Sequence, residues 1–353
     1  MVDGKSFRYV IAGAGAIGGT LAALLSRAGS KTICISRPAL VRVMNTGLTV
    51  RLEEETIQVK VDAVTDASDI SPRDEDLLVL TAKSQSTATL VDALRQRYNS
   101  KTPIVCLQNG VSNEVTAAGS FERVYAGLVF FSATQLRPDE VLVPPGRRIA
   151  IGVYPEGVDQ AVEQMSEDFR RAGFDAVASP YTMAMKYGKL VANLNNATHA
   201  ITGLWLELGA VDDDMRRLMV AVREEGLRVL EAAGIAVEPP PGEPASIRIL
   251  EMTRKMKQPA DPEARRRALE LPESDRTYAS TWQDLYLGRR ESEADHLNGE
   301  IVRLGKKYGV PTPYNSALLE LIDRMFREGQ KPGILSPGGL QKLIESGGIT
   351  GNF

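Results

Sequence analysis

Cysteine and histidine are scarce in this chain, with two of each in 353 residues. His199 and His296 stand far apart, so no metal centre of the Cys/His type can be assembled. Cys34 and Cys106 each sit in a short apolar run (32–36 and 104–107), where a lone thiol reads as a small buried hydrophobe rather than a nucleophile or half of a disulfide. A surplus of one charge is also missing: 42 Lys and Arg stand against 45 Asp and Glu, a formal net charge of −3. That excludes a nucleic-acid groove or a strongly basic membrane face, but leaves room for a local cluster that binds a small anion. No apolar run approaches the ~20 residues needed to cross a bilayer. The first apolar run is broken by glycines, unlike a signal peptide. A cytoplasmic protein without a nucleic-acid or membrane partner is expected, and a homodimer is compatible with such a chain.

What is present is the composition of an ordinary globular protein, with 43% hydrophobic and 25% charged residues, at a length that suggests about two domains. In the first half, short runs rich in Val, Ile and Leu alternate with helical spacing. Strands are expected at 8–12, 31–36, 76–81 and 104–107, and helices at 17–28 and 86–98. Further strands at 128–134, 141–143 and 148–153 are expected to close the domain. From about residue 180 the pattern is helical, at 184–200, 213–233, 279–288, 293–308 and 315–328. Residues 238–276 interrupt it with a Pro-rich, charged, lid-like excursion carrying one short helix around 246–256.

Gly13-Ala14-Gly15-Ala16-Ile17-Gly18 fits G-x-G-x-x-G between the first strand and the first helix. The first glycine permits the tight turn, the second lets a pyrophosphate approach the backbone, and the third lets helix and strand pack closely. The free N–H groups and positive end of the helix would face the phosphates. A glycine-rich βα turn can also be purely structural, but this context favours a dinucleotide. The expected fold is therefore α/β: an N-terminal Rossmann doubly wound parallel sheet over residues 1–180, and an all-helical domain over 181–353 with its insertion at about 238–276. At the end of the second strand stands Ser36-Arg37, with no acid until Glu53. A guanidinium there grips a 2′-phosphate, so NADP(H) is expected rather than NAD.

Ligands of such sheets bind beyond the carboxyl ends of the strands. Lys83 and Asn109 occupy that position. Each reads either as a loop or cap residue, or as a ligand of the cofactor or of a substrate carboxylate. In the second half, Lys189 and Asn193 are spaced i, i+4, and Asn196 at i+7 lies about −20° from Lys189 on a regular helix. The three make a polar stripe on an otherwise apolar helix. Beside a hydride donor, a lysine so placed can act as general acid towards a ketone. Ser280 precedes a helical run and suits a substrate carboxylate. Ser292 and Asp295 resemble a capping box, which puts Glu293 in a first helical turn, where an acid either complements the dipole or holds substrate hydroxyls.

GAGAIG, Arg37, LTAKSQ, LQNG, KLVAN, Glu225, STWQD, SEADHLNG and TPYN, in this order and spacing, resemble the ketopantoate reductase (2-dehydropantoate 2-reductase) family. The resemblance extends over nearly the whole chain outside the excursion. It implies NADPH-dependent reduction of a 2-keto acid, with Lys189 as general acid, Glu293 beside it in catalysis, and Asn193 and Ser280 as substrate contacts. Lys83 and Asn109 would line the cleft. The family's second asparagine has no counterpart at Ala197, and Asn196 is expected to stand in for it. Tyr187 replaces a common tryptophan, and the segment between Asp284 and Glu293 is one residue longer than expected. Two other readings remain: a hydroxyacid dehydrogenase of the wider superfamily, and an NADP(H) sensor without turnover. The sensor leaves the Lys189–Asn193 stripe unexplained.

Overall fold

The computed structural model describes residues 6–239 and 253–347. The chain divides into two compact units, the first closing at Lys186 and the second opening at Tyr187.

In the first unit the strands are β1 (Arg8–Ala12), β2 (Lys31–Ile35), β3 (Leu48–Arg51), β4 (Thr56–Val59), β5 (Asp62–Val64), β6 (Asp76–Leu80), β7 (Ile104–Cys106), β8 (Val124–Phe130), β9 (Thr134–Arg137), β10 (Glu140–Leu142), β11 (Arg148–Val153) and β12 (Asp175–Ala178). Eight form one sheet in the order β12-β11-β8-β7-β6-β1-β2-β5. It is parallel throughout except where β11 runs against β8. β1 and β6 are buried at every residue, as strands covered on both faces must be. Alternate side chains then fill two cores. Tyr9, Ile11, Leu77 and Val79 pack with Leu21, Leu25, Met165 and Phe169, while Val10, Ala12, Leu78 and Leu80 pack with Val91 and Leu94. Tyr9 is buried because its hydroxyl has a partner, donating to Asp168 Oδ2 at 2.6 Å.

One strand expectation needs correction. The segment expected as one strand at 128–134 is the end of β8 and the start of β9, separated by residues 131–133. The strand expected at 141–143 forms, as β10, outside the main sheet. It belongs to a separate sheet of order β4-β3-β10-β9, paired in parallel with β3. Alternating hydrophobicity announces a strand without naming its neighbour, and this partner lies about ninety residues away (Val141 opposite Val50).

Every described element of the second unit is helical. Asp213–Ala232, Asn298–Tyr308 and Pro313–Glu328 supply much of its core, through Met215, Leu218, Ile301, Leu321 and Ile322. The helix expected at 184–200 is two, Thr182–Asn193 and Asn195–Thr202, meeting at Leu194. Most of the short helix expected at 246–256 lies outside the described residues. The rest of the lid-like excursion is strapped along Asp213–Ala232. Arg216 donates to the carbonyls of Lys255, Met256 and Gln258, Glu224 pairs with Lys257, and the Ala260 N–H donates to Asp213. Its helix, Pro262–Leu269, opens on an Asp261 cap with proline in the first turn.

Arg8 and Asp76 anchor the start of β1 to that of β6, through Nε–Oδ1 at 2.5 Å and Nη2–Oδ2 at 2.6 Å. Both residues are buried. Replacing Asp76 by Ala leaves the guanidinium without its carboxylate and should lower unfolding free energy by about 3–5 kcal/mol, as measured by chemical denaturation against the parent chain.

Candidate active site

The paired register Ala12–Leu80–Cys106 brings the carboxyl ends of β1, β6 and β7 level, so the turns that follow them are neighbours. Gly13 has φ +108°, and a Cβ there would lie 2.5 Å from the Ala82 nitrogen. A Cβ at Gly18 would collide with the Gly13 carbonyl oxygen and the Thr81 hydroxyl. Gly15 is different: its Cβ position has nothing within 4 Å. Gly13 and Gly18 are thus demanded by packing, and Gly15 keeps an open approach to the backbone. Gly15 is also the N-cap of Ala16–Arg27, with no side-chain cap and no acid in the first turn. The turn from Gly13 through Ala14, Gly15, Ala16 and Ile17 to Gly18 fits an anionic pyrophosphate.

Arg37 caps the helix Pro38–Thr46 by position, directly after β2. It is exposed and makes no ion pair among the described residues. Lys83 precedes a short 3-10 turn, Ser84–Ser86, and Asn109 precedes Gly110, whose φ is +78°. A polar network ties these two loops together. Ser84 Oγ donates to the Asn109 carbonyl at 2.9 Å, and Asn113 Nδ2 donates to the same carbonyl at 2.7 Å. Thr87 Oγ1 donates to Asn113 Oδ1 at 2.7 Å, and Gln108 Nε2 donates to the Ala82 carbonyl at 2.7 Å. Ser84, Thr87, Gln108 and Asn113 were not among the expected site residues. Their signal was polar side chains in runs flanked by buried strands.

In the second unit, Lys189 and Asn193 share Thr182–Asn193, both partly accessible. Asn196 lies beyond the junction, on Asn195–Thr202, and donates to Ser280 Oγ at 3.3 Å. Two expected substrate residues from distant segments thus touch. Ala197 is 1% exposed, whereas Asn196 reaches solvent, so it is position 196 that presents a polar group.

The capping box expected at Ser292–Asp295 does not open the helix. Ser292 Oγ accepts the Ala294 N–H at 2.8 Å and starts only a 3-10 turn, Ala294–His296, of which Glu293 is the N-cap. Leu297 (φ −113°, ψ −89°) breaks the path, and the helix begins at Asn298. Asp295 instead pairs with Arg303 at 3.1 Å.

Buried charges sit close by. Lys186, one turn before Lys189, is in an ion pair with Glu114, and both are buried. Burial pushes the Glu114 carboxyl up while Lys186 pulls it back, and burial together with Glu114 raises the Cys106 thiol far above its usual range. Cys106 is an inert core residue. Burial also lowers the His199 imidazole, whose Nδ1 faces the Leu204 carbonyl at 2.9 Å.

The fold and the glycine turn are those of a Rossmann-type protein. Family models sharpen this: residues 9–156 match "Ketopantoate reductase PanE/ApbA" and residues 182–326 match its C-terminal part. The chain belongs to the ketopantoate reductase family. The 2-dehydropantoate 2-reductase of Pyrococcus horikoshii is 30% identical over 326 residues, covering 89% of this chain and 96% of the relative. A crystal structure of a PanE/ApbA family ketopantoate reductase from Ralstonia eutropha superposes with a TM-score of 0.75 at 28% identity, covering 92% of this chain and 99% of that one. D-mandelate dehydrogenase, solved with NADH and anilino(oxo)acetate, shares the fold at a TM-score of 0.75 and 22% identity, covering 92% and 99%. Among the described residues no helix is long and apolar enough to cross a membrane.

The glycines separate packing from binding. Gly18→Ala should destabilise the chain by about 1–3 kcal/mol through overpacking. Gly15→Ala should stay within about 0.5 kcal/mol of the parent. Thermal unfolding of both variants without ligand checks the contrast.

Proposed function

We propose that this chain reduces a 2-keto acid to a 2-hydroxy acid with NADPH, and that 2-dehydropantoate, reduced to pantoate for pantothenate synthesis, is the first substrate to try. The observation that carries the reading is the Asn196–Ser280 contact beside the helix of Lys189 and Asn193. It brings polar groups of two distant segments together at one accessible place, which a purely structural helix face does not require.

NADPH, when bound, supplies the hydride. The Gly13–Gly18 turn holds its pyrophosphate and Arg37 its 2′-phosphate. Lys83 and Asn109, fixed by the network between their loops, reach the ribose, the nicotinamide or the substrate carboxylate. Lys189 Nζ gives its proton to the carbonyl oxygen as hydride reaches the carbonyl carbon. Asn193, Asn196 and Ser280 orient the substrate through its carboxylate and hydroxyl groups, and Glu293 holds a hydroxyl near the reacting carbon. Residues 1–180 then bind cofactor and 181–353 bind substrate. A cytoplasmic setting and a homodimer complete the proposal.

A second reading keeps the chemistry and changes the 2-keto acid. It is favoured by the one-residue displacement of the second asparagine to position 196, with position 197 buried. Following the loss of reduced-nicotinamide absorbance with 2-dehydropantoate and a panel of other 2-keto acids decides between them. Turnover confined to another acid removes the first assignment, and no turnover with any acid removes both.

Lys189→Ala should lower kcat by about 10²–10⁴ while NADPH affinity stays nearly constant. Surviving turnover would exclude the general-acid role. Arg37→Ala should weaken NADPH binding far more than NADH binding, read as the two dissociation constants. Equal losses would discard the 2′-phosphate contact.

A further inference from the structure

Against the junction at Leu194 lies a chain of buried polar side chains that the roles above do not use. Glu225, on Asp213–Ala232, accepts the backbone N–H of Tyr314 at 3.0 Å and of Asn315 at 2.8 Å, and the Asn315 side-chain amide at 2.7 Å. Its carboxylate serves the first turn of Pro313–Glu328, where an anion is favoured. Asn315 Oδ1 accepts from Asn298 Nδ2 at 2.9 Å, and the same nitrogen donates to the Leu194 carbonyl at 3.0 Å. Glu225, Asn298 and Asn315 are all buried. Leu194 is also gripped by packing, since a Cβ on Gly226 would lie 2.6 Å from Leu194 Cδ1.

Leu194 is where one helix stops and the next starts. Asn193 and Asn196 leave the chain on either side of it, so the placement of this residue sets their mutual direction. Asn298 Oδ1 is buried with no partner among the described residues. Asparagine at this place therefore leaves one acceptor unsatisfied and contributes through its donor, which serves Leu194 and Asn315 together.

We propose that Asn298, backed by Asn315 and Glu225, is a positioning residue that holds the Leu194 carbonyl and so fixes how Asn193 and Asn196 face the 2-keto acid. This rests on the reading of Asn196 as a substrate contact. The test is a double-mutant cycle of Asn298→Leu and Asn196→Ala, assayed with the 2-keto acid of the panel turned over fastest. Asn298→Leu should raise KM about tenfold, change kcat less, and leave the NADPH dissociation constant within about twofold. The double variant should lose less than the sum of the two single effects, because part of the Asn298→Leu effect runs through Asn196.

Asn298→Ser, which keeps a donor on a shorter arm, should fall between the parent and Asn298→Leu, and it serves if the leucine variant does not fold. If Asn196→Ala raises KM but Asn298→Leu does not, or the two effects simply add, the positioning role is overturned and the substrate contact stands. If Asn196→Ala leaves KM unchanged, the substrate contact fails instead. Hydrogen exchange then still decides whether Asn298 holds the junction. Exchange in Asn298→Leu or Asn298→Ser that accelerates over residues 190–202 and nowhere else supports the hold, and unchanged exchange there overturns it.

Discussion

Everything at the carboxyl edge of the sheet depends on one close approach, that of the turn after β1 to the segment after β6. Thr81 Oγ1 donates to the Gly13 carbonyl at 2.8 Å, and the Ala82 N–H donates to the Ala12 carbonyl at 3.2 Å. Backbone meets backbone there with no space for a side chain at Gly13 or Gly18. Close packing makes such a contact a choice between fitting and not fitting rather than a graded preference. The same contact places Lys83 one residue beyond Ala82 and lets Gln108 reach the Ala82 carbonyl. The glycine turn and the two polar loops therefore form a single packed unit, and a change at Gly18 propagates to all three.

The helical unit solves a related problem by different means. Among the described residues it has no strand edge to line with ligating groups, and polar side chains are held inside an apolar bundle. Burying each without a partner costs about 1–3 kcal/mol, and partners come both from the residue's own turn, as Thr202 Oγ1 donating to the Thr198 carbonyl at 2.8 Å, and from other helices. Glu225 serves the helix Pro313–Glu328 ninety residues on (Glu225 to Asn315). Burial drives the Glu225 carboxyl upward, and the hydrogen bonds from Asn315 and Tyr314 oppose that shift. The network is satisfied except at one oxygen, Asn298 Oδ1.

The sequence was informative wherever a local pattern and a local structure coincide. β1, β2, β6, β7 and β11 follow apolar runs, and Gly29, with φ +88°, ends the first helix as its position suggested. The family resemblance and the fold class were legible for the same reason, since short motifs at element ends carry both. Three features escaped. Leu194 keeps helical dihedrals (φ −54°, ψ −31°), so no breaker marks the junction. β10 shows its strand character but not its non-local partner. Ser292 carries the residue type of a cap, but the backbone at Leu297 diverts the chain before a helix forms. Each miss arises where tertiary contacts, rather than the neighbouring residues, decide the conformation.

Lys186 and Lys189 illustrate the limit most sharply. Three residues apart on one helix, they are alike to any argument from spacing, and a polar stripe drawn through Lys189 and Asn193 passes close to Lys186 as well. Their surroundings separate them: Lys186 is 3% exposed and paired with a fully buried carboxylate, whereas Lys189 is partly accessible. An ion pair in an apolar site is weak evidence for stability, because desolvation offsets most of the attraction. Loss of either partner, however, strands a charge in the core, which penalises any arrangement that slides Lys186 away from Glu114. The pair therefore fixes the rotation of the first turn of Thr182–Asn193 within the first unit.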